Sequence, residues 1–153
     1  MSVAIITGLV ILLDTFSKSW ATINLMGTEG FNVLGKFLQF HYVENRGAAF
    51  GIFNGQKWIL TLLTIIIILG LIYFWARQPK HQLTNLAVGL ILGGAFGNLC
   101  DRILNGFVVD FIMVDIVDFY NFPVFNVADI AICIGVFIFI IHYLFIEKNF
   151  DFN

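Results

Sequence analysis

Apolar residues in this chain do not alternate with polar ones; they run on. Four stretches, residues 3–25, 58–76, 83–102 and 127–146, are apolar over most of their length. Each is close to the ~20 helical residues that cross a hydrocarbon core of ~30 Å. They predict four transmembrane helices in one integral membrane domain covering residues 1–153. Trp58 and Trp75 bracket the second stretch, as amphipathic rings at two headgroup levels do. The run from Val3 to Leu13 has neither a basic flank before it nor a small-x-small pattern after it, so it reads as part of a retained helix and not a cleaved leader.

Between the spans lie one short turn and two larger connections. The turn RQPKHQ, Arg77 to Gln82, holds a proline and two basic residues, which predicts a cytoplasmic hairpin between the second and third helices. Both termini then fall on the cytoplasmic side. Lys36, Arg46, Lys57 and Arg102 sit in connections assigned to the outside, so charge density in the short loop supports this orientation and the raw count does not. In the first connection, Phe37 to Val43 reads as a strand running into a glycine-rich turn. A small extracytoplasmic β platform is expected in this loop.

Composition agrees with the pattern: 59% of residues are hydrophobic and 12% charged, and the mean hydropathy is +0.92. No soluble domain has this balance. The formal net charge of -2 comes with no basic or acidic block, so nothing invites nucleic acid. Cys100 and Cys133 form no Cys-x-x-Cys pair, which suggests neither a disulfide framework nor a zinc site. His41, His81 and His142 are scattered, without the His-Glu-x-x-His of a metalloprotease helix. No cofactor is expected. No internal repeat is visible, which argues against an inverted-repeat transporter.

Gly89, Gly93 and Gly97 recur every fourth residue in the third span. They share a helix face and predict close helix packing. Ionisable residues matter more, because each costs a few kcal/mol (~3) inside a bilayer and must face a partner, a cavity or a site. Asp14 and Lys18 stand one turn apart in the favourable order, so they form a local ion pair or brace the end of the first helix. Asn98, Asp101 and Arg102 are placed to form a polar network at the end of the third helix.

Asp129 has no basic neighbour on its helix, and the preceding connection supplies Asp110, Asp115 and Asp118 with almost no base. Two carboxylates held close share a proton, and such a pair can activate water and protonate a carbonyl oxygen. A lone carboxylate at a helix N-terminus can equally be a favourable dipole contact. Residues alone leave both readings open.

Five motifs in order, DTFSK (14–18), ENRGAAFG (44–51), GGAFGNLCDR (93–102), GFVVDF (106–111) and FNVAD (125–129), resemble those of the lipoprotein signal peptidase family, signal peptidase II. The resemblance implies an intramembrane aspartyl endopeptidase of the bacterial cytoplasmic membrane. Its substrates would be diacylglyceryl-modified prolipoproteins, its surroundings membrane lipid and its working form a monomer. By motif, the catalytic pair would be Asp110 and Asp129, near the outer face. Asn45, Gly47, Asn98, Asp101, Arg102 and Asn126 would line or support the substrate site, with Asp14 and Lys18 bracing it. The tripeptide VDF occurs twice; Asp118 is the alternative to Asp110, which alone follows the GNLCDR helix end and a glycine at the family's spacing. Ser17 stands where many members have threonine. The RGAAFG turn, with Gly47 and Gly51, is expected to clasp substrate over the pair.

Two other classes fit parts of the pattern. A proton-coupled transporter would spread its acids across the depth of the bilayer, and a non-catalytic assembly factor would tolerate asparagine at Asp110 and Asp129.

Overall fold

A computed structural model describes residues 2–47, 55–79, 81–115 and 123–145. Four long helices are present: α1 (Val3–Leu25), α2 (Lys57–Arg77), α3 (Gln82–Leu104) and α4 (Val127–Phe145). All four are long and apolar enough to cross a membrane. Their ends fall within about two residues of the expected spans, the ordinary fraying of helix boundaries. The Ser2 hydroxyl accepts from the Ile5 N–H at the start of α1, and the His81 ring nitrogen accepts from the Leu83 N–H at the start of α3. Pro79 follows α2 closely, and proline cannot continue a helix.

Helix α3 is the hub, and glycine makes it so. A side chain at Gly89, Gly93 or Gly97 would collide with Ile6, Val10 or Asp14 of α1, while one at Gly94 would strike the Ala128 carbonyl of α4. The small-residue face therefore lets two neighbours approach on two sides. Helix α2 leans on α3 through Ile68, Val88, Leu92 and Leu99. Near its end, Trp75 donates to the Asn85 side chain at 2.8 Å.

The expected platform is a three-stranded antiparallel sheet in the order β1 (Phe31–Leu34), β2 (Leu38–Asn45), β3 (Val108–Val114). The first connection supplies β1 and β2; the third strand comes from the connection between α3 and α4. Gly106, at φ 85, makes the turn out of α3 that starts this strand, a backbone conformation that a residue with a Cβ rarely adopts. Val109 and Phe111 pack with Ala21 and Leu25 at the end of α1, so the sheet caps the bundle there. Phe111 and Ile112 both donate to the Phe125 carbonyl, which ties the entry of α4 to β3.

Candidate active site

Helix α4 begins with a reciprocal cap. Asn126 precedes its first turn; its side-chain oxygen accepts from the Asp129 N–H at 2.9 Å, and the Asp129 carboxylate accepts from the Asn126 N–H at 3.2 Å. This is the arrangement of a capping box, with Asn and Asp in place of the more common Ser and Glu. A further orphan donor of that turn, the Ala128 N–H, reaches across to Asp14 of α1 at 3.0 Å. The cap thereby fixes Asp129 at the positive end of a helix, where negative charge is favoured.

The Asn126 side chain also reaches the second carboxylate. Its Nδ2 donates to Asp110 of β3 at 2.6 Å, and Asn45 of β2 donates to the other Asp110 oxygen at 2.8 Å. Asn45 is itself held because its Oδ1 accepts from the Gly47 N–H at 2.9 Å. Asp110 is only 2% exposed. Burial, more than any other influence, pushes its carboxyl up to about 6; the Asn45 amide opposes this, the neighbouring Asp129 charge adds to it, and Asn126 and Lys18 oppose it.

Behind the two carboxylates lies a buried cation. Lys18, 4% exposed, reaches Asp14 at 2.7 Å, Asp101 at 3.0 Å and the Asn98 side-chain amide oxygen Oδ1 at 2.9 Å. Three acceptors match the three donors of an ammonium group. Asn98 passes the order on: with its oxygen taken by Lys18 and by Asn126 at 3.2 Å, its Nδ2 donates to Asp129 at 2.8 Å. Asp101 also accepts from the Val109 N–H at 3.2 Å, one residue before Asp110. Among the described residues Arg102 donates only to the Asn98 backbone carbonyl, at 3.4 Å, and its charge is felt by Asp129, Asp110 and Asp101.

All ten residues singled out from the sequence come together at this one end of the bundle. Two details differ from expectation. Asp14 and Lys18 do pair, but the pair is not local: it bridges α1 to α3 and α4. Asn98 and Asp101 turn to Lys18 and form no network confined to their own helix, because the glycine face brings α1 within reach. Ser17 donates to the Asp14 carbonyl of its own helix at 2.9 Å and takes no part in the site. Asp118 and Gly51 lie outside the described residues, and of the expected clasping turn only Arg46 and Gly47 are described.

The contributions of Val109 and Ala128 were not anticipated. Both act through backbone N–H groups, so residue type carries no signal for them. The reciprocal Asn126–Asp129 cap did have one, the Asn-x-x-Asp spacing just before an apolar run. Among the described residues no three His, Cys, Asp or Glu side chains gather to hold a metal ion.

The four spans and their capping sheet have close structural counterparts. One solved bacterial membrane enzyme, determined by the in meso method at 2.3 Å resolution, superimposes with a TM-score of 0.85 at 34% identity, over 99% of this chain and 92% of the other. A second, at 1.9 Å resolution, gives 0.82 at 35% identity, over 94% and 93%. This is the architecture of a bacterial multi-pass membrane enzyme.

The family follows from sequence: the profile described as Signal peptidase (SPase) II matches residues 6–145. The lipoprotein signal peptidase of Clostridium novyi (strain NT) is 41% identical over 82% of this chain and 85% of its own. That of Caldanaerobacter subterraneus subsp. tengcongensis is 42% identical over 95% and 96%. The chain belongs to the signal peptidase II family. It is thus a membrane hydrolase, a protease of lipoprotein processing.

Proposed function

We propose that this protein is an intramembrane aspartyl endopeptidase, a single membrane domain that removes the signal peptide from diacylglyceryl-modified prolipoproteins, with Asp110 and Asp129 as its catalytic pair. The observation that carries the reading is Asn126, whose side-chain amide donates to the Asp110 carboxylate and whose backbone N–H donates to the Asp129 carboxylate, so that one residue holds acids from two separate elements at one place. Their surroundings also differ. Asp110, pushed up to about 6 by burial, is suited to keep a proton. Asp129 sits at a helix N-terminus and accepts from Asn98 and from the Asn126 N–H. Two acids in unlike environments divide the acid and base roles.

In this mechanism Asp129 takes a proton from water as the oxygen attacks the scissile carbonyl carbon, and Asp110 donates its proton to the carbonyl oxygen. The neutral tetrahedral diol then collapses. Asp129 returns its proton to the leaving nitrogen as the C–N bond breaks, and Asp110 recovers one from a diol hydroxyl. Both carboxyls finish as they began. Arg102, whose guanidinium bonds only the Asn98 backbone carbonyl among the described residues, is placed to bind substrate carbonyls; Asn45, Gly47 and Asn98 hold the two acids in position. Lys18, Asp14 and Asp101 brace that shell from behind.

The substrate's acyl chains would stay in lipid while water reaches the bond from the sheet side. That side is assigned to the outer face of the bacterial cytoplasmic membrane, with both termini and the basic turn at 77–82 cytoplasmic, and the protein acting as a monomer. Gathering of Asp14, Asp101, Asp110 and Asp129 at one end favours this reading over a proton path through the bilayer.

The test is cleavage of a diacylglyceryl-modified prolipoprotein by purified Asp110→Asn, Asp129→Asn and Asp118→Asn. Loss of cleavage in the first two, with the folded protein retained and the third active, is the expected result. Activity in Asp110→Asn or Asp129→Asn would end the dyad reading, and loss through Asp118 would move the dyad.

A further inference from the structure

A second polar space lies between α1 and α3, under the start of β3. It is a crevice of about 450 Å³, open to the outside of the bundle, and its size falls within the ~300–1,000 Å³ of small-ligand sites. Neither Asp110, Asp129, Asn126 nor Asn45 lines it, so it is separate from the space over the carboxylate pair. Its floor is the ion cluster of Asp14, Lys18 and Asp101. Two carboxylates there face one ammonium, which leaves one negative charge without a matching cation. The three groups are unequally covered: the side chains of Asp14 and Lys18 are 1% and 5% exposed, and that of Asp101 is 17% exposed. One Asp101 oxygen accepts from Lys18 and from the Val109 N–H. The other has only the Asn105 amide, at 3.4 Å, among the described residues. At the rim stand Ile23 and Leu104, each 80% exposed, so a charged floor gives way to an apolar lip.

We propose that this crevice binds a phospholipid whose headgroup ends in a primary ammonium. Such a group carries the missing positive charge and three donors. The acceptors for them line the crevice: the under-used Asp101 oxygen, the Ser19 hydroxyl and the Asn105 side-chain oxygen. Asp101 lies one turn before the end of α3, within reach of a headgroup at that surface of the bilayer. The phosphate then stays in the headgroup layer, and the acyl chains run past Ile23 and Leu104 into lipid. A soluble cation would answer the charge and leave the apolar lip unused. A trimethylated headgroup brings the charge without an N–H donor, and an ion pair without hydrogen bonds is the weaker one. The consequence reaches β3: Asp101 also holds the Val109 N–H, one residue before Asp110, so a headgroup on Asp101 bears on the strand that carries that carboxyl.

This inference does not depend on the catalytic reading, and its test reads occupancy of the crevice directly. Cys100 lines the crevice and is exposed, and Cys133→Ser leaves it the only thiol of the chain. Its alkylation by N-ethylmaleimide is followed in nanodiscs of phosphatidylglycerol mixed with phosphatidylethanolamine or, at the same ratio, with phosphatidylcholine. The reaction is expected to be several-fold slower with phosphatidylethanolamine. Ser19→Leu, which fills the crevice from an exposed position on α1, should give equal rates in the two lipids. Cys133 on α4, read in a Cys100→Ser background, reports bilayer packing and should react alike in both. Equal rates at Cys100 overturn the proposal, and so does a slowing of the same size at Cys133 or one that survives Ser19→Leu. Free ethanolamine that slows the reaction as much in phosphatidylcholine would make the ligand a soluble amine and overturn the assignment to lipid.

Discussion

Helices α2 and α3 are near-equal in length and opposite in use. The most apolar window of α2 has a mean hydropathy of 2.6 and is 17% buried in the protein, while that of α3 has 1.5 and is 61% buried. In water the more apolar helix would be the buried one. In a bilayer lipid is as apolar as leucine, so hydropathy places a helix in the membrane without packing it there, and small and polar residues do the packing. Helix α3 spends its surface on glycines facing α1 and α4 and on Asn98, Asp101 and Arg102 at the site. Helix α2 presents isoleucine and leucine outward and touches the protein along one side.

The contrast is sharpest in charge, and the largest expected effect lies there. Lys18→Met removes the cation shared by Asp14 and Asp101 and leaves two carboxylates in a buried setting. Breaking a buried ion pair from one side costs about 3–5 kcal/mol, and the change also frees the Asn98 amide that faces Asp129. Thermal unfolding in detergent should show a loss of this size, with cleavage nearly abolished. Arg77→Gln, at the exposed end of α2 where the guanidinium lies over Tyr73, should change stability by less than about 0.5 kcal/mol. Equal losses in the two variants would remove the distinction between the helices.

Packing gives the next effect. A methyl group at Gly97 would overlap the Asp14 carboxylate, and Asp14 cannot retreat, because Lys18 and the Ala128 N–H hold it. Overpacking of this kind costs about 1–3 kcal/mol. Gly97→Ala should therefore lower the melting temperature and reduce kcat, since the displaced Asp14 also caps the helix that positions Asp129. A Gly97→Ala protein with normal kcat would mean that α1 can step away from α3 without moving the cap.

These same interactions divide what the sequence makes legible from what it does not. Helical spans are legible because a bilayer demands about 20 apolar residues whatever the tertiary structure. The acids are legible because ionisable groups are costly there. Strand β3 is not: VVDFIMV is a short apolar run, which periodicity cannot assign to strand or helix. Its conformation comes from pairing with β2, as in Val43 opposite Asp110 across more than sixty residues of sequence. Lys18 reads as the partner of Asp14 alone, since Asp101 and Asn98 become its neighbours only after the glycine face has docked. Neither pairing is a local property of the chain.

A smaller effect comes from Asp110 and appears only as a pH dependence. Its carboxyl titrates at about 6 in the folded protein, against an ordinary value of 3.8. The folded state therefore binds the proton more tightly than the unfolded one. That stabilisation is fully present below 3.8 and is lost as pH rises to about 6, at about 1.4 kcal/mol per pH unit. Asp110→Asn cannot titrate and lacks this slope. Its melting temperature relative to the parent should rise from pH 5 to pH 8 by an amount equivalent to about 1 kcal/mol. A flat difference would show that Asp110 is ionised throughout, and Asp129 would then have to be the acid of the pair.

The smallest effect tests the other helix and carries the opposite sign. Gly70 lies in α2 with nothing within 4 Å of the position a Cβ would take. An alanine there meets lipid, restricts the unfolded backbone and suits a helix better by about 0.5–1 kcal/mol. Gly70→Ala should leave cleavage unchanged and raise the melting temperature slightly. The same substitution thus stabilises α2 and damages α3, because only α3 uses the missing side chain to bring a neighbour close. Should Gly70→Ala instead lower activity without lowering stability, α2 would have to pack against something during turnover that the described residues do not place beside it, and its outward face would be part of the substrate path.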